Sequence, residues 1–451
     1  LIRISYPCNY THEKEYILDI IFAEFLGLDF ESTPDAVDSI ISIYLDNGNI
    51  LELNDCFFSN AYRLNKSYLE ESFIPSEIVH LDLKNAPENN IIGLYGKPIV
   101  SIKSNKIYCG IDIFASSFYM LTRWEEYVIK KRDNHGRFPV QSSLAYKHGF
   151  LSRPIVNEYV EVIWHWLTIL GITQARKLRQ FEFINTHDID RICLFETKLD
   201  IIVKPVKALL VEKSLASFVY HLKLAIKSLK GKDSYLSFEY LMDSSEKCGV
   251  KSHFFFMGAL KKTKYNNGYN ISDRFVKDII KRIIKRGHTI GIHPSYDTLN
   301  NQKLFRTELD SIRDVSDTEV ICGRQHYLRF ELPATWQNWE NNKLQWDSSL
   351  AYSEQEGFRC GVCYSFSVYN ILSRVKLKLR EKPLTIMDAT LCVQRKMSPR
   401  VADRVISYYI FKVKKYSGEF VFLWHNSSFD YMGWRNYKEV YDRALSNISS
   451  L

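Results

Sequence analysis

Phe181-Glu182-Phe183-Ile184-Asn185-Thr186-His187-Asp188-Ile189-Asp190 is the stretch on which the reading of the whole chain turns. Its apolar residues alternate and run into two carboxylates spaced i and i+2, the pattern by which a buried strand delivers acids to the rim of a sheet or barrel. Side chains at i and i+2 share one face of a strand, so Asp188 and Asp190 point into one pocket if the strand persists that far. Two like charges that close are costly unless a cation lies between them or one is protonated. A divalent metal resolves the conflict, with one Asp as ligand and the other as proton acceptor. The bland alternative is an Asp-rich turn after a strand, solvated and inert.

Downstream, strand patterns over 181–186, 250–257, 289–293, 319–323 and 419–424 alternate with helical ones, which predicts an α/β sheet or barrel over residues 179–451. The helix over 273–286 gathers Phe275, Val276, Ile279, Ile280, Ile283 and Ile284 on one side, and Gly287 ends it. A basic helical insertion at 204–232 interrupts the alternation. It carries seven Lys and one Glu among apolar residues, a composition that suits peripheral contact with an anionic membrane or a solvated helical flap.

Upstream, residues 1–126 read as a smaller mixed α/β support or recognition domain. A helix over 16–26 stops at Gly27, short strands lie at 40–45, 91–94 and 99–102, and an amphipathic helix covers 111–126. Residues 127–178 form a connecting region, with a polar loop at 130–139 and a helix over 156–170. The N-terminal segment shows no catalytic constellation.

A length of 451 residues predicts two or three domains, and 46% hydrophobic with 25% charged residues is the balance of a globular protein with a large core. The net charge of +8 is spread too thinly for a nucleic-acid partner. The nine cysteines are scattered and odd in number, which predicts thiols in a reducing compartment. Cys360-Gly361-Val362-Cys363 lacks the second pair that a zinc knuckle needs. No apolar run reaches the ~18 residues of a membrane span, and Leu1-Ile2-Arg3-Ile4-Ser5 does not open a signal peptide. The expected location is cytoplasmic, peripheral to the inner face of the membrane.

Polar clusters close four of the strand patterns, where functional residues of α/β sheets and barrels collect. They are Asp188/Asp190, Gly287-His288-Thr289-Ile290-Gly291-Ile292-His293, Gly323-Arg324-Gln325-His326-Tyr327-Leu328-Arg329, and Leu423-Trp424-His425. In this order the motifs resemble those of the polysaccharide deacetylases, carbohydrate esterases with a NodB-type domain. Thr186-His187-Asp188-Ile189-Asp190 looks like the family's Thr-x-Asp-x-Asp, and Gly287 to His293 like its Gly-His-x-Ile-Gly-x-His. The likeness covers roughly residues 178–445 and describes a divergent member.

What the resemblance implies is a distorted (β/α) barrel that holds one divalent metal, most often zinc, and removes an acetyl group from an N-acetylated sugar. Asp188 would be the general base, Asp190 and His293 metal ligands, and His425 the acid that protonates the departing amine. The family's second ligand histidine, four residues after the first, is replaced here by Asp297, so the third ligand is Asp297 or His326. The Arg-x-Pro motif, whose arginine orients the base, is also altered, leaving Arg329 and Arg324 as candidates.

The other histidines have structural readings: His187 points outward, His288 caps the preceding helix and His253 belongs to the core. Trp336, Trp339 and Trp346, with Asp347-Ser348-Ser349, are candidates for a sugar pocket. The expected function is N-deacetylation of an amino sugar in an envelope polysaccharide or a lipid-linked sugar precursor. The alternatives are another C–N hydrolase and an inactive barrel that binds glycan or scaffolds a complex.

Overall fold

The computed structural model describes residues 1–36, 38–84, 86–211, 213–259, 263–266, 269–429, 434 and 436–449. Short β-prone runs broken by Asn, Gly and Pro build the first sheet from β1 (Ile2–Pro7), β2 (Phe30–Ala36), β3 (Ile40–Tyr44) and β4 (Ile50–Asn54). A separate ribbon of β5 (Val79–Asp82) and β6 (Asn90–Gly93) precedes its last members, β7 (Gly96–Ile102) and β8 (Lys106–Ile111). The six strands run β2-β1-β3-β4-β8-β7, with parallel and antiparallel pairs.

Helix Thr11–Leu18 continues as a π-helix, Asp19–Leu26, that ends at Gly27 with φ +69°. A Cβ at Gly27 would stand 2.7 Å from Cβ of Lys177, so space as well as backbone conformation calls for glycine. The amphipathic helix expected over 111–126 is different in kind. Asp112 caps helix Ile113–Thr122 through the N–H of Ala115 (2.9 Å), and all ten of its residues are buried because elements cover it on every side. Arg123, at φ 55°, breaks it from helix Trp124–Val128.

The second sheet has nine strands: β9 (Glu182–Ile189), β10 (His253–Phe256), β11 (Thr289–Ile292), β12 (Cys322–Gly323), β13 (Trp346–Asp347), β14 (Phe366–Asn370), β15 (Val375–Glu381), β16 (Ile386–Met387) and β17 (Glu419–Leu423). Their order is β14-β15-β13-β12-β11-β10-β9-β17-β16, parallel throughout except at β14. The barrel expected from the resemblance is therefore not closed among the described residues, since the ladder ends at β14 and β16. Lys382-Pro383-Leu384-Thr385 carries the chain across the gap from β15 to β16, and Pro383 has no N–H to give a ladder. The inner side of the sheet is filled: Ile184 on β9, Val421 and Leu423 on β17, Met387 on the neighbouring β16, and Leu328, Ala351 and Leu384 share one cluster.

The two sheets meet through a buried ionic contact. Glu126 accepts from Nε of both Arg123 and Arg359 at 2.9 Å, and Arg123 also donates to the Tyr352 hydroxyl at 3.0 Å. Nearby, the backbone N–H of Val156 donates to Gly361 O (2.9 Å), and Arg374 pairs with Glu13 at 2.7 Å. Cys360 and Cys363 are buried here as thiols, with no metal-binding group around them among the described residues.

Candidate metal centre and its cavity

Alternation along β9 sorts its side chains. Ile184, Thr186 and Asp188 face the sheet interior, while Phe183, Asn185 and His187 face the covering helices. The outer positions are not solvent-exposed. His187 is fully buried and donates from Nδ1 to Trp424 O (2.7 Å), and Asn185 donates to the Tyr441 hydroxyl (2.8 Å). The expectation that His187 points outward holds for its side of the sheet but not for water, because helices cover that side. Burial lowers its pKa to about 3.

On the inner side, Arg324 spans the interior. Its Nη1 lies 2.8 Å from Asp188 Oδ1 and 3.0 Å from Thr186 Oγ1, its Nε and Nη2 donate to Ser348 O (2.8 Å) and Oγ (2.9 Å), and its guanidinium packs 5.2 Å from the Phe255 ring centroid. Arg329 does neither of these things. It stacks on Tyr296 and donates to the carbonyls of His135 and Tyr296. Of the two candidates, Arg324 touches the Asp188 carboxylate.

Asp190, His293 and His326 bring one carboxylate oxygen and two imidazole nitrogens together. Asp190 Oδ1 is 3.2 Å from His293 Nε2 and 3.6 Å from His326 Nε2. Ligand atoms about 2.1 Å from a tetrahedral cation stand about 3.4 Å apart, so the spacing fits such an ion. Two further observations agree. Asp190 Oδ1 is buried without a hydrogen-bond partner, and His293 donates from Nδ1 to Arg324 O (2.7 Å), which turns its Nε2 edge toward Asp190. Nδ1 of His326 is buried without a partner, so this ring is less firmly held.

Electrostatics follow the geometry. Burial lowers the His326 pKa to about 3, which keeps it neutral and able to ligate. Burial acts against the Asp190 carboxylate, but His293, His326 and His425 outweigh it and hold the group far below the usual range. Asp297, the alternative ligand, is not in this group. It lies in the turn Tyr296–Thr298 and accepts from Asn266 Nδ2 at 3.3 Å, because the chain bends away after Pro294.

His425 follows β17 and faces the same space, with Nε2 3.8 Å from Asp190 Oδ2. Its Nδ1 meets Asp388 Oδ1 at 2.8 Å, and its backbone N–H donates to Oδ2 of the same carboxylate (2.7 Å). Burial alone would lower its pKa, yet Asp388 and Asp190 push it up to about 10. Asp188, Asp190, His293, His326 and His425 line one cavity of about 270 Å³, with Tyr327, Met387 and Arg137 at its walls.

Asp388 and Arg137 went unread in the sequence. Asp388 ends an apolar run too short to show a period, and Arg137 belongs to the polar loop of the connecting region, where it donates to Tyr327 O (3.1 Å). His288 does cap the preceding helix, its backbone N–H donating to Ile283 O (3.2 Å), and its ring also accepts the Ser252 N–H (2.9 Å) and lies 3.2 Å from Glu246, tying the start of β10 to a second helix. The sugar-pocket expectation is corrected. Trp336 and Trp339 are fully buried and Trp346 packs on His253 and Phe255, so none of the three lines the cavity. Ser348 holds Arg324, and Ser349 donates to Asp347 (2.6 Å).

Fold and site together define a mixed α/β chain with a carboxylate and imidazole centre at the strand ends of its larger sheet. Residues 2–171 match a family described as "Family of unknown function (DUF7033)". No curated protein matches the chain. Among solved structures, one described as "putative polysaccharide deacetylase from Mycobacterium smegmatis" is similar over 60% of this chain and 85% of its own, at 12% identity and a TM-score of 0.40.

Proposed function

We propose that the chain is a metal-dependent hydrolase that removes the N-acetyl group from an amino sugar of an envelope polysaccharide or its lipid-linked precursor. One observation carries the reading: Asp188 and His425, each held by a counter-charge, face the same cavity as the Asp190, His293 and His326 donors. The motif order along the chain supports it.

In this reading Asp190, His293 and His326 hold one divalent cation, and a mixed nitrogen and oxygen donor set suits zinc. When bound, the cation supplies Lewis acidity toward the acyl carbonyl and eases ionisation of water. Asp188 takes the proton of the attacking water, with Arg324 keeping the carboxylate aimed. As the C–N bond breaks, His425 gives its proton to the departing nitrogen, and Asp388 steadies the ring through the change of charge. The products are acetate and the free amine. A volume of about 270 Å³ takes little more than one sugar ring at a time.

Residues 1–126 then serve as a support or recognition domain, 127–178 as a connection that lends Arg137, and 179–451 as the catalytic part. The buried thiols Cys109, Cys322, Cys360 and Cys363 fit a cytoplasmic site of action. The test is acetate release from N-acetylglucosamine oligomers by the purified chain, beside its metal content. Asp188→Ala and His425→Ala should abolish release while the metal stays bound. Full activity in either variant sinks the assigned roles, and substoichiometric metal in the parent favours the inactive glycan-binding alternative.

A further inference from the structure

Residues 191–235 leave the sheet as a pair of helices, Asp200–Leu210 and Leu215–Leu229. In the second, Leu215, Val219, Leu222, Ile226 and Leu229 recur at steps of four and three, which lines them along one stripe. Leu199, Ile202, Val206 and Leu209 do the same along the first. A stripe of this kind normally lies in a seam, but these nine side chains are 41–71% exposed. They are not the faces by which the helices pack: Pro205 and Ala208 of the first and Leu224 and Ala225 of the second are buried, and Leu194 and Phe195 share a core cluster with Leu224 and Ala225.

We propose that this helical pair seats the protein on the surface of an anionic lipid bilayer. Charge decides between occupants. Residues 204–232 carry seven Lys against one Glu, and Lys207, Lys223, Lys227 and Lys230 are exposed beside the apolar stripes. A second copy of the same face would set lysines against lysines, with one Glu in residues 204–232 of each copy to offset seven Lys. Anionic headgroups answer the lysines while the acyl boundary takes the leucines and valines, and long lysine stems reach from one layer to the other. Helices of 11 and 15 residues lie in the plane of the bilayer rather than crossing it, and no described helix is long and apolar enough to cross.

The attachment also bears on the candidate centre. Asn426, next to His425, donates to Arg191 O (2.8 Å) and Tyr235 O (2.9 Å), the two ends of the excursion, and Ser237 donates to Asn426 O (2.7 Å). A bilayer under the helical pair is thus tied through one residue to the rim of the cavity.

The full chain is floated with vesicles of phosphatidylcholine alone or with about one third phosphatidylglycerol, at low and high salt. Expected is at least about tenfold greater partition into the anionic vesicles, weakened by salt. The stripe variant Leu215→Ser/Leu222→Ser/Leu229→Ser and the charge variant Lys223→Glu/Lys227→Glu should each lose about tenfold in partition with thermal melting unchanged, because the substituted side chains are exposed. Equal partition into both vesicle types, no flotation, or a stripe variant that floats like its parent overturns the proposal. So does a concentration-dependent dimer in ultracentrifugation that the stripe variant abolishes, which would assign the face to a second copy. The assay uses no substrate, so its failure is separable from failure of the proposed reaction.

Discussion

Asp388 holds His425 at two points, through Nδ1 at 2.8 Å and through the backbone N–H at 2.7 Å, so ring and main chain are fixed by one carboxylate. An acid works only while protonated, so activity should fall as pH rises past the pKa of His425. Asp388→Asn removes the charge that raises this pKa, and the alkaline limb of the pH–rate profile should move to lower pH. His425→Ala should bring acetate release down by about 10⁴-fold, to the floor of the assay. An Asp388→Asn profile that overlays the parent's would rule out this pairing as the source of the shift.

The second imidazole of the donor group comes from the segment after β12 and not from the position four residues after His293. His326→Ala should therefore lower bound metal below one equivalent in the purified chain, whereas Asp297→Ala should retain it. Plasma mass spectrometry of the two variants reads this directly, without any substrate. The reverse pattern would return the ligand role to Asp297.

Arg324 and Asp188 are both buried, and their pairing spans the sheet interior. Arg324→Met leaves the carboxylate uncompensated, at a cost of about 3–5 kcal/mol in unfolding free energy by urea titration. Adding Asp188→Asn should restore part of the loss. A double variant no more stable than Arg324→Met would show that packing against Phe255 and Ser348 matters more than the charge.

Asp347 and Glu381 are partners across β13 and β15, and burial is the main reason both pKa values rise, that of Asp347 to about 7. A folded-state pKa raised above the unfolded one gives stability that is complete below the unfolded pKa of about 3.9 and is lost as pH rises through about 7. Asp347→Asn removes the group that must ionise. Its melting temperature should exceed the parent's at pH 8, and the advantage should shrink at pH 5. His187 and His253, buried and neutral, act in the opposite sense below about pH 6.5, so the difference between variant and parent is the quantity to follow. An advantage that does not change with pH would count against the shift.

Much of the centre was legible because strand alternation places Asp188 and Asp190 on one side and because strand ends gather function. Asp388 was not, since β16 is two residues long and has no period to read. Arg137 looks like part of a surface turn until Tyr327 O, far along the chain, draws it to the cavity wall. Alternation assigned His187 to its side of β9, but whether helices cover that side is a tertiary fact. The open ladder was equally hidden, because one extended run from Val375 to Met387 serves two distant neighbours, β13 and β17.

The grip of Arg123 and Arg359 on Glu126 has a consequence for inheritance. A cut at residue 171, where the family match stops, strands Arg359 in one fragment and its counter-ion in the other. Neither piece makes a sound building block for shuffling: recombination across that point delivers a buried cation to a neighbour that never evolved to receive it. Both partners have to be passed on as one unit.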